Sequence, residues 1–395
     1  MANEVHYLDN AATTEPSEAA IKAAVDAMAS YGNPSSTYTL GLDSRKLLEA
    51  SREAVCSSLG IRRLNGGALV FTSSGTEANC MATLGFDAAK NRTGNGKRAV
   101  MLLSDGEHPS IERPAQILEE RGWRIIRIPT VGGELDLNAL RRAAAEPCTA
   151  MLACFMLVNN ETGALYDVKR AASIVRAAHP DAHVHCDAVQ AFMKTKVSPA
   201  LLGVDTLTVS AHKIHSIRGA GALYISPDAV KKKNIAPIIP GGGQEKGMRS
   251  GTENLVSIAA FAASCKDGKE HFEERHARVA MLNAYLRDAL SALEPLGVTV
   301  KDVKNALNDI VNITLPRIKS ETMLNHLSSR GVYASAGSAC SASSGRLSHA
   351  LTAFGCSDDE IDSSLRLSLS YTNSKEDIDA LIDALTEGVS SLARF

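Results

Sequence analysis

The sequence predicts an α/β fold in which a mostly parallel, seven-stranded sheet forms a large domain, accompanied by a smaller α+β domain. Three observations lead to this prediction. Strand-like and helix-like segments alternate through the first two-thirds of the chain, which is typical of a parallel sheet covered by helices. This alternation stops near residue 253. Finally, a chain of 395 residues, 45% of them hydrophobic, is long enough to fill the cores of two or three domains.

The helices are predicted from apolar residues at helical spacing. Residues 16–31 place Ile21, Val25 and Met28 on one helical face, with a proline suited to the first turn and a glycine to the end. The same pattern recurs in residues 44–59. Further amphipathic helices are predicted over residues 111–121 and 168–178.

The strands of the sheet are predicted from seven short runs rich in apolar and β-branched residues. In such a sheet, ligands bind outside the carboxyl ends of the strands, so functional side chains are expected just after these runs. The runs are residues 68–72, 99–103, 124–128, 151–158, 182–186, 206–209 and 222–225.

The smaller domain follows a long helical stretch, residues 253–293, in which Gly268 is the predicted break. Strands are then expected over residues 309–315, 332–335 and 365–369, and an amphipathic helix over residues 374–393. We place the large domain at residues 15–260. Residues 1–14 and 261–395 are assigned to the small domain.

Composition and charge exclude several classes of protein. Lysine plus arginine (42) nearly balance aspartate plus glutamate (44), which argues against a dedicated nucleic-acid-binding protein. No apolar run approaches the roughly 20 residues of a membrane span. The first residues lack the features of a secretory signal, and eight cysteines without a Cys-x-x-Cys pair favour neither a disulfide framework nor a structural metal site. We therefore expect a soluble, cytoplasmic protein that contacts neither membrane nor nucleic acid and binds no metal.

A candidate phosphate site lies in residues 71–79, where Ser73, Ser74, Gly75 and Thr76 follow a strand and open a helix. Free backbone N–H groups at a helix N-terminus bind phosphate, and the helix dipole favours the negative charge. Ordinary helix capping explains the same residues, because serine, threonine and glycine are common at helix starts. Taken alone, this motif favours capping.

Asp187 and Lys213 follow two successive predicted strands. A lysine that forms a Schiff base and a carboxylate that keeps a pyridine nitrogen protonated are what pyridoxal phosphate requires. A plain ion pair is the alternative interpretation. His183 and His185 lie two residues apart on a strand without a third ligand nearby in sequence, so a structural role is preferred over a metal site.

At this point the chain resembles a known family along nearly its whole length. It is similar to the cysteine desulfurases, NifS- and IscS-like pyridoxal-phosphate enzymes of the class V aminotransferase group, which have the fold-type I transferase architecture. Each matching stretch is weak alone, but nine in the same order are specific. They are residues 7–14, 31–36, 72–79, 159–163, 187–190, 210–213, 241–245, 248–254 and 337–340.

The resemblance implies a role for each matching residue around the cofactor, pyridoxal 5'-phosphate. Lys213 would form the Schiff base, Asp187 would pair with the pyridine nitrogen, and Gln190 would contact the phenolic oxygen. His108 would stack on the ring and mediate proton transfer. The phosphate ligands would be Gly75, Thr76, Ser210 and His212, with Thr252 supplied by the neighbouring subunit.

Around the substrate, the resemblance implies that Asn160 and Arg366 bind the carboxylate of L-cysteine, as suits a guanidinium fork. Cys340 would be the nucleophile that receives the sulfur as a persulfide. Its run of small residues indicates an exposed loop, whereas four other cysteines have apolar neighbours and are expected to be unreactive: Cys56, Cys80, Cys154 and Cys265.

The implied activity is conversion of L-cysteine to L-alanine by a homodimer, with sulfur passed to a protein acceptor in iron–sulfur cluster assembly or tRNA thiolation. Two alternatives stay open. One is another class V activity, such as a selenocysteine lyase or a desulfinase, and the other is a non-catalytic sulfur-relay protein. The chain also departs from the family pattern at Tyr38, where histidine is usual, and at residues 214–218, where the family has a glycine and a proline after the lysine.

Overall fold

All seven predicted strands of the large domain are present in the computed structural model, which describes residues 4–92, 98–337 and 347–392. Six of them are buried over nearly their whole length, as expected of a sheet covered by helices, whereas the edge strand Arg124–Ile128 is only partly buried. The strands of the described residues are β1 (His6–Tyr7), β2 (Ala68–Thr72), β3 (Ala99–Ser104), β4 (Arg124–Ile128), β5 (Ala150–Met156), β6 (His183–Asp187), β7 (Thr206–Ser210), β8 (Gly221–Ile225), β9 (Thr299–Val300), β10 (Ile310–Thr314), β11 (Val332–Tyr333) and β12 (Ser364–Ser368).

The central sheet has the strand order β2-β8-β7-β6-β5-β3-β4. Strand β8 runs antiparallel to both of its neighbours, and the other pairs are parallel. The predicted α/β class with a mostly parallel seven-stranded sheet is therefore confirmed. Because β6 and β7 are parallel neighbours, with Asp187 opposite Thr208, the residues that follow the two strands lie at one edge of the sheet.

Helices cover both faces of this sheet. The helices of the described residues are α1 (Glu18–Met28), α2 (Thr39–Ser58), α3 (Gly75–Arg92), α4 (Pro109–Glu120), α5 (Leu137–Ala144), α6 (Val168–Ala178), α7 (Pro199–Leu202), α8 (Pro227–Lys231), α9 (Leu255–Glu270), α10 (Phe272–Ser291), α11 (Ser320–Ser328), α12 (His349–Phe354), α13 (Asp358–Asp362) and α14 (Lys375–Ser391). Alternate strand residues point to opposite faces, so Val70 belongs to the core that includes α3, α4 and α8, whereas its neighbours Leu69 and Phe71 belong to the core that includes α2, α5, α6 and α9.

Helix α1 forms as predicted, but its large apolar residues do not face the core. Ile21, Val25 and Met28 are 49%, 58% and 64% exposed, respectively. The buried face of α1 consists instead of alanines, among them Ala20 and Ala24, which pack against α9. Small side chains let the two helices approach closely, and the face of large residues is left outside.

The predicted helix break at Gly268 is wrong, because α9 continues through that residue and the break falls at His271. The absence of a side chain at Gly268 instead leaves room for the side chain of Met193. A Cβ atom there would lie 2.9 Å from Cε of Met193, so a larger residue would displace that side chain.

A second hydrophobic core lies around the antiparallel sheet β12-β10-β9 and combines α10, α11 and α14 with the N-terminal residue Leu8. Strand β1 joins this region by pairing in parallel with β11. The division into residues 15–260 on the one hand and 1–14 with 261–395 on the other stays a prediction. In the described ranges, no helix has the length and apolar character that crossing a bilayer requires.

Candidate active site

A cavity of about 280 Å³ lies at the carboxyl ends of the parallel strands, where the sequence predicted ligand-binding residues. Ten of the twelve predicted site residues line it. The exceptions are Thr252, which is exposed, and Cys340, which lies outside the described residues. The ten are Gly75, Thr76, His108, Asn160, Asp187, Gln190, Ser210, His212, Lys213 and Arg366.

Lys213 lies on a single 3-10 turn directly after β7. Its Nζ donates hydrogen bonds to the carbonyl oxygens of Ala11 (2.5 Å) and Ala12 (2.8 Å). Burial lowers the pKa of this lysine to about 7, and the positive charges of Arg366 and Lys194 act in the same direction. A large fraction of the amine is therefore neutral and nucleophilic near neutral pH.

Asp187 ends β6 and is almost completely buried. Its Oδ1 accepts a hydrogen bond from the backbone N–H of Val189 at 2.9 Å, and its Oδ2 accepts one from Nδ2 of Asn79 at 2.7 Å. Sequence reasoning gave Asn79 no role of its own. The signal was available, since Asn79 lies one helical turn after Gly75, within the stretch 72–79 already singled out.

The candidate phosphate site lies where β7 ends beside the first turn of α3. The hydroxyl of Ser210 is buried and has no hydrogen-bond partner among the described residues. A Cβ atom at Gly75 would lie 2.9 Å from a methyl group of Val189, so the backbone of this first turn can be approached only with glycine there. An unsatisfied donor and an open helix N-terminus fit the phosphate of pyridoxal phosphate. Thr76 and His212 also line the cavity.

His108 caps α4, and this fixes the position of its proton. Its Nδ1 accepts a hydrogen bond from the backbone N–H of Ser110 at 3.1 Å, so the neutral ring carries its proton on Nε2. Burial lowers the pKa of His108, and the nearby Lys213 acts in the same direction, whereas Asp187 opposes both. The predicted stacking of this ring on the cofactor stays a prediction.

Arg366 is buried, with only 2% of its surface exposed. One guanidinium nitrogen donates to Oδ1 of Asp9 at 2.7 Å and another to the carbonyl oxygen of Asn160 at 3.0 Å, while Nε has no partner among the described residues. Asp9 is a second residue that sequence reasoning missed, although it lies in the matching stretch 7–14. It balances the buried charge of Arg366 and fixes the direction of the guanidinium group.

Gln190 also lines the cavity, but its amide is already engaged. Its Nε2 donates to the carbonyl oxygen of Ala11 at 2.8 Å, and its Oε1 lies 3.3 Å from Nζ of Lys194. The contact with the phenolic oxygen of the cofactor stays a prediction.

His215 stands where the family has glycine and adopts a left-handed conformation, with φ at 60°. It is held there because its backbone N–H donates to the Thr14 hydroxyl and its ring contacts the carbonyl oxygen of Glu15.

The two ends of the segment that contains Cys340 meet at one buried carboxylate. Ser348 donates a hydrogen bond of 2.5 Å to Oε2 of Glu161, and a Cβ atom at Gly337 would lie 2.7 Å from that same oxygen. Burial raises the pKa of Glu161, while the Ser348 bond and Arg366 oppose the rise. Glu161 follows Asn160 directly, so one loop borders both the predicted carboxylate site and the base of the cysteine segment.

The cysteines expected to be unreactive are poor nucleophiles in their surroundings. Burial raises the pKa of Cys56, Cys80, Cys154 and Cys265, which suppresses the thiolate form. Within the described ranges, no group of histidines, cysteines and carboxylates is arranged to hold a metal ion.

Comparison with known proteins agrees with this geometry. The class V aminotransferase family matches residues 6–381, and the chain belongs to that family. Relatives within this family identify the group of enzymes to which the chain belongs. A cysteine desulfurase IscS of Methanosarcina thermophila is 32% identical over 392 residues, which cover 99% of this chain and 93% of the relative. The chain is thus a member of the cysteine desulfurase group, and its members are pyridoxal-phosphate enzymes.

Solved structures give the same result for the fold. A NifS-like protein from Rickettsia africae superimposes with a TM-score of 0.85 at 29% identity, covering 98% of this chain and 100% of the other. A structure of SspA in complex with cysteine has a TM-score of 0.77 at 26% identity, covering 93% and 99% of the two chains. The predicted family, fold type, enzyme class and cofactor are confirmed.

Proposed function

We propose that this protein converts L-cysteine to L-alanine and transfers the sulfur, as a persulfide on Cys340, to a protein acceptor. The observation that carries this proposal is the amine of Lys213, partly neutral near pH 7, in a cavity that also contains Asp187 and a buried, oriented Arg366. The SspA relative solved in complex with cysteine supports the same substrate.

Different residues of the cavity bind L-cysteine and move its proton. Arg366, whose Nε is unpaired among the described residues, and Asn160 bind the substrate carboxylate. Neutral Lys213 accepts the proton from Cα, and His108 donates a proton from Nε2. Bound pyridoxal phosphate supplies the electron sink for bond cleavage at Cα.

The sulfur step balances without an external oxidant. The Cys340 thiolate attacks the substrate sulfur, an S–S bond forms, and the C–S bond of the substrate breaks. The electron pair of that C–S bond stays with carbon, which takes up a proton and leaves as L-alanine. The acceptor then takes the terminal sulfur, and iron–sulfur cluster assembly and tRNA thiolation are the two destinations we propose, in the cytoplasm.

We further propose a homodimer with shared active sites. Thr252 is exposed and does not line the cavity of its own subunit, which suits a residue that reaches the phosphate of a partner. The exposed apolar face of α1, with Ile21, Val25 and Met28, offers a surface that a second copy would bury. Sedimentation of the cofactor-loaded protein tests this, and a monomer at micromolar concentration would contradict it.

The central experiment separates cofactor chemistry from sulfur transfer. Purified protein is incubated with L-cysteine, and alanine, sulfide and the mass of the Cys340 peptide are measured together. Cys340→Ser is expected to keep the absorbance of bound pyridoxal phosphate but to lose both the added sulfur and alanine production, because a serine hydroxyl is a poor nucleophile toward sulfur. Lys213→Ala, the matched control, loses the covalently held cofactor. Alanine release by Cys340→Ser at the parent rate would refute the persulfide step.

A further inference from the structure

We propose that a buried series of hydrogen bonds beneath the cavity, the polar network, positions Asp187 and keeps it a hydrogen-bond acceptor toward the cofactor's pyridine nitrogen. The residues between its ends are positioning residues and do not touch the cofactor. This inference rests on the cofactor site of the proposed function. The network consists of Lys90, Asn234, His183, Thr206, His185, Asn79 and Asp187.

Six contacts connect the network from the surface to the cavity. Near the surface, Nζ of Lys90 lies 2.8 Å from Oδ1 of Asn234, whose Nδ2 is 3.5 Å from Nδ1 of His183. Nε2 of His183 is then 3.0 Å from the hydroxyl of Thr206.

The inner half of the network has contact distances of 3.0 Å or less and ends at the cofactor site. The Thr206 hydroxyl is 2.9 Å from Nδ1 of His185, and Nε2 of His185 is 3.0 Å from Oδ1 of Asn79. The last bond, 2.7 Å from Nδ2 of Asn79 to Oδ2 of Asp187, is also the shortest of the six.

The Asp187 carboxylate fixes the direction of every bond. A carboxylate only accepts, so Asn79 must turn its NH₂ group toward Asp187 and its oxygen toward His185. His185 must then carry its proton on Nε2 and accept at Nδ1 from the Thr206 hydroxyl. Thr206 in turn accepts from Nε2–H of His183. All donors therefore point from the Lys90 cation toward the Asp187 anion, an arrangement in which successive bonds polarise and strengthen one another.

Burial makes the network a fixed set of dipoles. His183, His185 and Thr206 are fully buried, and Asn79 is nearly so. Burial lowers the pKa of both histidines to about 3, and for His183 the charges of Lys90 and Arg176 contribute. Both rings are therefore neutral at the pH of the reaction.

Other titratable groups face Asp187 from the elements packed around it. They are Glu107 and His108 at the start of α4, Lys213 after β7, and the buried thiols Cys154 and Cys186 on β5 and β6. None of these belongs to the network, so a change made at Thr206 leaves them in place.

The first experiment examines the direction of the bonds. Cofactor-free protein is labelled with ¹⁵N-histidine, and the ring signals are assigned with His183→Gln and His185→Gln. We expect both rings to be neutral and protonated at Nε2 between pH 5 and 8. A charged His185, or one protonated at Nδ1, would overturn the proposal because it could not accept from Thr206.

The second experiment tests the effect on the cofactor site. Thr206→Val removes the hydroxyl at nearly constant shape, and Thr206→Ser is the matched control that keeps it. Each protein is loaded with pyridoxal phosphate carrying ¹⁵N in its ring, and protonation of that nitrogen is followed against pH. Thr206→Val should lower its proton affinity by about three- to tenfold, the size of one hydrogen bond, and Thr206→Ser should match the parent.

Identical titrations of the valine and serine variants would overturn the proposal. If Thr206→Val does not fold, His183→Leu is titrated instead and must show the same decrease, because it removes the donor to Thr206 together with the acceptor of the Asn234 amide. Neither measurement requires turnover of L-cysteine. A protein with the expected ring titration but no alanine formation would contradict the proposed function and support the network.

Discussion

Replacing Ser348 with alanine should destabilise the protein at the base of the segment that contains Cys340. Ser348 caps α12 by accepting from the backbone N–H of Leu351 at 3.1 Å and donates to the buried carboxylate of Glu161 at 2.5 Å. Loss of a cap costs about 1 kcal/mol. Leaving a buried acceptor without its donor costs about 1–3 kcal/mol more. We therefore expect Ser348→Ala to lower the free energy of unfolding by about 2–4 kcal/mol.

Urea unfolding of the cofactor-free protein measures this loss, and two comparisons isolate its parts. Ser17 caps α1 without a second partner of this kind, so Ser17→Ala should cost only about 1 kcal/mol. In a Glu161→Ala background, Ser348→Ala should likewise cost only its cap. A coupling energy below about 0.3 kcal/mol between the two positions would refute the reasoning, since that is the scatter of independent sites.

The cost of Ser348→Ala should also depend on pH. The Ser348 bond counteracts the raised pKa of Glu161, so its removal raises that pKa further. A group whose pKa is higher in the folded than in the unfolded state contributes stability at low pH that is lost as the pH rises through the folded value. The loss of stability caused by Ser348→Ala should therefore be larger at pH 8 than at pH 5, and equal losses at the two pH values would contradict an ionising Glu161.

Three further predictions concern charge in the interior. Acid should destabilise the protein, because His183 and His185 have a pKa of about 3 when folded and about 6.5 when unfolded. The free energy of unfolding, measured by urea titration, should fall by about 2.7 kcal/mol per pH unit below pH 6. A free energy that does not change with pH in this range would exclude neutral rings. Asp9→Ala should cost about 3 kcal/mol in the same assay, since it leaves the buried charge of Arg366 unbalanced. Cofactor-free protein should bind pyridoxal phosphate covalently at a rate, followed by absorbance, that increases as the pH rises through about 7 and then levels off. A rate that continues to increase up to pH 10 would show that the pKa of Lys213 is not lowered.

Most of the fold was predictable because strands and helices depend on local patterns. The strand ends that carry Asp187 and Lys213 were placed from apolar runs alone, to within a residue or two. What failed depended on contacts between distant residues. The large apolar residues of α1 indicate a buried face, but the same pattern fits the exposed apolar face that the structure shows. The sequence pattern predicts a helix break at Gly268, although Met193, which packs beside it, explains why this residue is small.

The site residues missed by sequence reasoning share one property: each acts on another side chain rather than on a ligand. Asn79 is a buried amide inside an ordinary helix, and Asp9 is one acidic residue near the N-terminus. Their partners, Asp187 and Arg366, are 108 and 357 residues away. No local spacing reports such pairs, so only the folded structure brings them together.

The carbonyl groups that hold the Lys213 amine precede it in the chain, yet they are secured by Ser368 and Asn373, which follow it. Residues 6–12 are fixed through β1, which pairs with β11, and through Asn10, which donates to the backbone of Ser368 and to Asn373. Contacts of such sequence separation close late. During synthesis, the sheet and its lysine can therefore have emerged about 150 residues of elongation, roughly ten seconds or more, before the amine has its acceptors. A nascent chain thus exposes an unfinished cavity until Asn373 has emerged.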